Sequence, residues 1–127
     1  MVISDGPTDA ERAERSRLGK LSRRKGIKFE LWLAKKLKEV WPNARRGFQA
    51  RDGNEQPDVL TDDRFWVEAK HGKKVNYRAA LKQAKLAARA GSYPVVVAKD
   101  DGESPVVVMD FDDWLDYVKE GEELRET

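Results

Sequence analysis

The stretch Pro57-Asp58-Val59-Leu60-Thr61-Asp62-Asp63-Arg64-Phe65-Trp66-Val67-Glu68-Ala69-Lys70 decides the fold. Two segments with strand-forming residues flank Thr61 to Arg64, whose small polar residues favour a tight turn. The pattern predicts an antiparallel hairpin, with strands over Pro57 to Leu60 and Phe65 to Lys70. Strand residues alternate faces, so Trp66, Glu68 and Lys70 share one side and Phe65, Val67 and Ala69 take the other. Glu68 and Lys70 are then about 7 Å apart along the strand. An ionised pair on an otherwise apolar strand needs a purpose. The hairpin also brings Asp58 near Glu68, in a register that local sequence leaves open.

Working outward, a long helix is predicted from about Ser22 to Trp41, stopped by Pro42. Ile27, Phe29, Leu31, Trp32, Leu33, Ala34, Leu37 and Val40 make it apolar almost all round, the signature of burial on more than one side. Glu30 lies on that apolar side, one turn after Gly26. A buried carboxylate costs several kcal/mol unless it meets a base, a metal or a hydrogen-bond donor. Asn43 to Arg51 reads as the first strand, and residues 52–56 as a loop. Beyond the hairpin, His71 to Val75 forms a basic connection. A second helix follows from Asn76 to Ala90, closed by Gly91. Its apolar stripe (Tyr77, Ala80, Leu81, Ala84, Ala87, Ala88) opposes a basic one (Arg78, Lys82, Lys85, Arg89). Val95 to Lys99 lacks alternation and reads as a strand buried on both faces. Val106 to Met109 is a fifth strand, and Asp110 caps a last short helix with Phe111, Trp114, Leu115 and Val118. The order α-β-β-β-α-β-β-α predicts an α/β domain, a mixed five-stranded sheet flanked by helices.

The composition narrows the chemistry. The chain has 127 residues, no Cys and one His. This removes disulfide scaffolds, Cys-ligated zinc and thiol catalysis, and argues against a Ser-His-Asp triad. No segment approaches the ~20 apolar residues of a membrane span, and no secretion signal is apparent, so a cytoplasmic location is expected. The net charge of +2 hides a segregation. Residues 10–50 carry 13 bases and 4 acids, whereas residues 100–127 carry 2 bases and 11 acids. A basic face for a polyanion accounts for this, and a highly charged solvated surface is the competing reading. Thr8 and Glu11 have capping-box spacing, so a helix could start there, and residues 1–21 are read as a mobile basic arm or a helix that orders on a partner. Residues 22–119 form the domain, and residues 120–127 an acidic, frayed tail.

Two carboxylates, Asp58 and Glu68, converging near Lys70 suit a hard divalent cation, above all Mg²⁺. Such an ion offsets charge on a scissile phosphate while a polarised water attacks. Pro57-Asp58, followed ten residues after Asp58 by Glu68-Ala69-Lys70, resembles the PD-(D/E)xK nuclease signature. With Arg24-Lys25-Gly26 and Glu30 on the first helix, Gln83 on the second, and Tyr93-Pro94 before a Val-rich strand, the order looks most like archaeal-type Holliday junction resolvases, including phage-borne ones. The resemblance spans residues 22–118. It implies a restriction-endonuclease-like fold and a homodimeric, Mg²⁺-dependent endonuclease (Mn²⁺ substituting) that resolves four-way DNA junctions by symmetric phosphodiester hydrolysis in recombination and repair. It implies no small-molecule cofactor and no membrane.

Carried over by position, Asp58, Glu68 and the Ala69 carbonyl would hold the metal, and Lys70 would orient or activate the water. Glu30 would act through metal-bound water or a second ion, and Gln83 would be a further active-site neighbour. The family's serine before the Asp has no counterpart in residues 44–58, where Gln49, Asn54 or Gln56 would substitute. Arg23, Arg24, Lys25, Lys28, Arg45, Arg46, Arg51, Lys73, Lys74, Arg78, Lys82, Lys85 and Arg89 are the candidate DNA contacts. His71, facing away from Lys70, is read as structural or a phosphate contact. Trp32, Trp41, Trp66 and Trp114 are assigned to the core or a dimer interface. Two rivals stay open: another nuclease of the same superfamily acting on flaps or mismatches, and a non-catalytic DNA-binding module.

Overall fold

In a computed structural model, which describes residues 6–48 and 55–126, Thr8 starts the first helix. Its side chain accepts from the Glu11 N–H at 3.1 Å, and the Glu11 carboxylate accepts the Thr8 N–H at 3.1 Å. This reciprocal cap satisfies two of the N–H groups that a helix start leaves without partners. Helix α1 therefore runs Asp9–Leu37 rather than beginning near Ser22, and it ends a turn before Pro42. The segment 9–21, read from sequence as a mobile arm or a separate helix ordering on a partner, is the first half of this helix. Every residue from Asp9 to Leu21 except Gly19 is exposed, so the cap and local pairs such as Glu14–Arg17 at 2.6 Å support it rather than a core.

Only Phe29, Leu33 and Ala34 of α1 are buried. Ile27, Leu31 and Trp32 are exposed, so the helix is buried on one side, not on several, and Val40, beyond its end, is exposed too. An apolar helix face demands cover, but periodicity does not say how many neighbours the fold supplies.

The five strands are β1 (Arg45–Arg46), β2 (Val59–Leu60), β3 (Phe65–Gly72), β4 (Tyr93–Asp100) and β5 (Val106–Val108), hydrogen-bonded in that order. The β1/β2, β2/β3 and β4/β5 pairs are antiparallel, and β3/β4 is parallel. Helix α2 (Tyr77–Ala87) makes the crossover that a parallel step requires. Helix α3 (Phe111–Glu126) closes the chain. The domain is thus α/β, with an open mixed five-stranded sheet and three helices.

The core lies on both faces of β4. Val97 joins Val59, Val67 and the buried side of α1, while Val96 and Ala98 pack against Ala80 and Ala84 of α2. Continuous burial of Val95 to Ala98 explains the unbroken apolar run. β1 and β2 are shorter than the sequence suggests. The remainder of the expected first strand, Gln49 to Arg51, lies outside the described residues. Helix α2 ends at Ala87 rather than Ala90, because Ala88 turns extended at ψ 140. Gly91 then takes φ +90 in the turn before β4. The acidic end is helical through Glu126, and the Tyr93 hydroxyl donates to Glu120 Oε1 at 2.8 Å, anchoring a segment read as frayed. No described helix is long and apolar enough to cross a membrane.

Candidate active site

Alternation along β3 turns Val67, Ala69 and His71 towards α1 and leaves Trp66, Glu68 and Lys70 on the α2 side. The side chain of Val67 packs with the buried side of α1, and that of His71 lies 5.4 Å, ring to ring, from Phe29. The register Val59↔Val67 places Asp58, one residue before β2, opposite Glu68. Directly opposed residues share a face, with Cβ atoms roughly 5 Å apart. The connecting turn is set by Asp62, whose Oδ1 accepts the Arg64 N–H at 3.0 Å.

Asp58 is 8% exposed, and its Oδ2 accepts the Ala69 N–H at 2.9 Å. Glu68 Oε1 accepts the indole N–H of Trp66 at 2.8 Å. Burial, followed by the hydrogen bond and negative charge of Asp58 beside it, pushes the Glu68 carboxyl up to about 8, against the opposing pull of Trp66 and Lys70. Two carboxylates held this close in a partly dry site disfavour double ionisation, and an added cation would relieve it. The donor set therefore fits a hard divalent ion, which takes oxygen ligands. Among the described residues no group of three acidic or histidine side chains is arranged to hold a metal, so Asp58 and Glu68 would share the ion with backbone or water oxygens.

The pair opens into a cavity of about 300 Å³, lined by Glu55, Gln56, Asp58, Glu68, Lys70 and Gln83, with Ala80 and Ala87 behind them. The small α2 side chains leave space above β3, and Gln83, on the turn between Ala80 and Ala87, is brought into it. Asp58, Glu68, Lys70 and Gln83, singled out separately along the chain, are therefore brought together. Gln56 lines the same cavity, and its Oε1 accepts the Phe48 N–H at 2.8 Å. Gln49, Asn54 and Arg51 lie outside the described residues.

Glu30 is placed elsewhere. It does not line this cavity, and its Oε2 meets Arg46 Nε at 2.5 Å. The buried-side acid finds its partner on β1, which α1 covers.

Sequence reasoning missed two contributors. Glu55 lines the cavity from the loop before Pro57. Gly47 donates its N–H to the Asp58 carbonyl at 2.9 Å, and a Cβ there would stand 1.9 Å from the Pro57 carbonyl oxygen. Only glycine permits this approach, which fixes the backbone bearing Asp58. A glycine inside a strand-like segment was the available signal.

The candidate DNA contacts spread over several surfaces. Arg23, Arg24 and Lys28 are exposed on α1, Arg45 and Arg46 on β1, and Lys73 and Lys74 before α2. Arg78, Lys82 and Lys85 form the outer face of α2 and Arg89 follows its end; Lys85 meets Asp110 at 2.6 Å and Arg89 meets Asp63 at 3.5 Å. Lys25 is ion-paired with Asp101. Trp66 is buried and Trp41 half-buried, with its indole N–H on Asp62 at 3.2 Å, whereas Trp32 and Trp114 are exposed.

No protein-family model matches the chain, and neither do any curated protein or any solved structure.

Proposed function

We propose that the protein is a divalent-cation-dependent DNA endonuclease of the PD-(D/E)xK type with a restriction-endonuclease-like fold, and that it resolves four-way junctions as a homodimer. The observation that carries this reading is Asp58 opposite Glu68 on a hairpin, with Lys70 on the same face of the same cavity. A bound Mg²⁺, or Mn²⁺ in its place, would supply positive charge at the scissile phosphate and a polarised water. Asp58 and Glu68 would hold it, together with the Ala69 carbonyl. Asp58 is oriented in advance by the Ala69 N–H, which lowers the cost of assembling the site.

The Lys70 ammonium would position the attacking water and offset charge on the phosphate. Gln83, a neutral donor and acceptor on the cavity wall, would hold a phosphate oxygen or that water. Glu30 would act at one remove, by fixing Arg46 on β1. The basic residues of α1, β1 and α2 would hold the phosphates of the duplex arms, which positions the substrate without reading bases. Symmetric cutting requires two sites, and a two-fold dimer is the simplest arrangement that supplies them.

The test is cleavage of a synthetic four-way junction beside flap and linear duplex substrates, with Mg²⁺ and then with a chelator. Paired, chelator-sensitive cuts on the junction are expected. Equal rates on all substrates would leave a nuclease of broader use, and binding without any cleavage would leave a DNA-binding module.

A further inference from the structure

On the opposite face of the sheet from the carboxylate pair lies a second cleft, of about 560 Å³. Its floor is aromatic. Trp32 and Phe29 are stacked with centroids 5.7 Å apart and planes 13° apart, and His71 tilts onto Phe29 at 5.4 Å. Phe29 is buried, whereas Trp32 is 44% exposed, so an indole backed by a core ring is presented to the cleft. Its rim is cationic, with Lys25 and Lys28 from α1 and Lys99 from β4. His71 and Lys99 are neighbours in the β3/β4 register. The cleft therefore opens at the carboxyl ends of the two parallel strands, where α/β sheets commonly bind ligands.

The rim charges are not equivalent. Asp101 is ion-paired with Lys25, and its Oδ1 lies 3.1 Å from His71 Nε2. Lys28 has no ion-pair partner among the described residues, and Lys99 reaches only the Asp100 carbonyl at 3.5 Å. Lys28 and Lys99, on different elements and without an ion-pair partner among the described residues, thus line the same cleft as a backed, half-exposed indole. A π-face stacks on any base, and lysines track the phosphates on either side of it.

We propose that this cleft takes an unpaired nucleotide of a DNA strand, with its base on Trp32 and its flanking phosphates on Lys28 and Lys99. The inference deepens the endonuclease reading and rests on it for the strand's role: a substrate with a displaced or unpaired segment is gripped behind the cutting site. Paired bases keep their faces within the duplex stack, so the aromatic floor distinguishes branched or frayed DNA from uniform duplex.

The experiment measures binding without cleavage, by titrating the full chain in chelator with an oligothymidine strand of about eight nucleotides. Trp32→Ala is expected to weaken binding about tenfold or more, whereas Trp32→Phe keeps most of it. Lys28→Gln combined with Lys99→Gln is expected to flatten the dependence of log affinity on log salt by about 1.4.

Unchanged affinity in Trp32→Ala overturns the inference. So does free thymidine monophosphate binding as tightly as the strand, or a blunt duplex competing equally. Should Trp32→Ala fail to fold, photo-crosslinking a 4-thiothymidine strand to the parent protein decides. Adducts near Trp32 or His71 support the site, and adducts confined elsewhere overturn it. A protein that cleaves junctions while Trp32→Ala binds normally loses this inference alone. A protein that never cleaves but binds through Trp32 loses the endonuclease reading alone.

Discussion

Asp58 Oδ2 accepts the N–H of Ala69, the residue between Glu68 and Lys70, at 2.9 Å. One carboxylate is thereby tied to the backbone of the strand that presents the other. The pair is held by the hairpin itself, and its orientation does not depend on a flexible loop.

If this pair carries the chemistry, Asp58→Asn and Glu68→Ala each lower junction cleavage by about a hundredfold or more, while junction binding in chelator stays near the parent level. Rates on purified variants beside parallel binding titrations check this. Metal-dependent cutting that survives both substitutions would place the active site elsewhere.

The Glu68 proton predicts a pH dependence of stability. The folded-state value of about 8 stands above the ordinary 4.5, so between these pH values the native state binds more protons than the unfolded one. Stability without metal therefore falls as pH rises through that window, and is fully present below it. Urea midpoints measured from pH 5 to 8 in chelator should decline, and Glu68→Gln should flatten the decline. Because a ligating carboxylate must be deprotonated, adding Mg²⁺ near neutral pH should release a proton, detectable as a buffer-dependent binding enthalpy.

Gly47 predicts a steric effect. Gly47→Ala places a methyl 1.9 Å from the Pro57 carbonyl oxygen, which is backbone and cannot swing aside. The expected cost is about 1–3 kcal/mol of stability, read by chemical denaturation, with a cleavage loss from displacement of Asp58. A neutral result would mean that the two segments move apart freely.

Glu30 and Arg46 form a pair whose side chains are 16% and 38% exposed. A double-mutant cycle with Glu30→Gln and Arg46→Gln should give a coupling of about 0.5–1 kcal/mol. The two substitutions should also lower cleavage to similar extents, since each releases the other partner. A far larger cleavage loss from Glu30→Gln alone would indicate direct action at the carboxylate pair.

Much of the sheet is legible locally. The period of two along β3 puts Glu68 and Lys70 on one face, and the unbroken valines of β4 announce burial on both. The capping box at Thr8 is equally visible, but with little to bury in residues 9–21 it leaves a mobile arm and a partner-ordered helix both open, and neither reading joins it to the helix that follows. Local capping and i,i+3 pairs are enough to extend a helix that is nucleated further along.

What the sequence by itself determined is the set of elements and the face on which each β3 residue stands, because backbone periodicity is a local property. The tertiary structure decided the rest: Asp58 opposite Glu68, Gln83 over the same cavity, Glu30 turned to Arg46, and Trp32 left facing a cationic cleft. Each of these depends on strand register or on where a helix docks. Both are set by contacts between residues far apart in the chain, and neither is written in any local pattern.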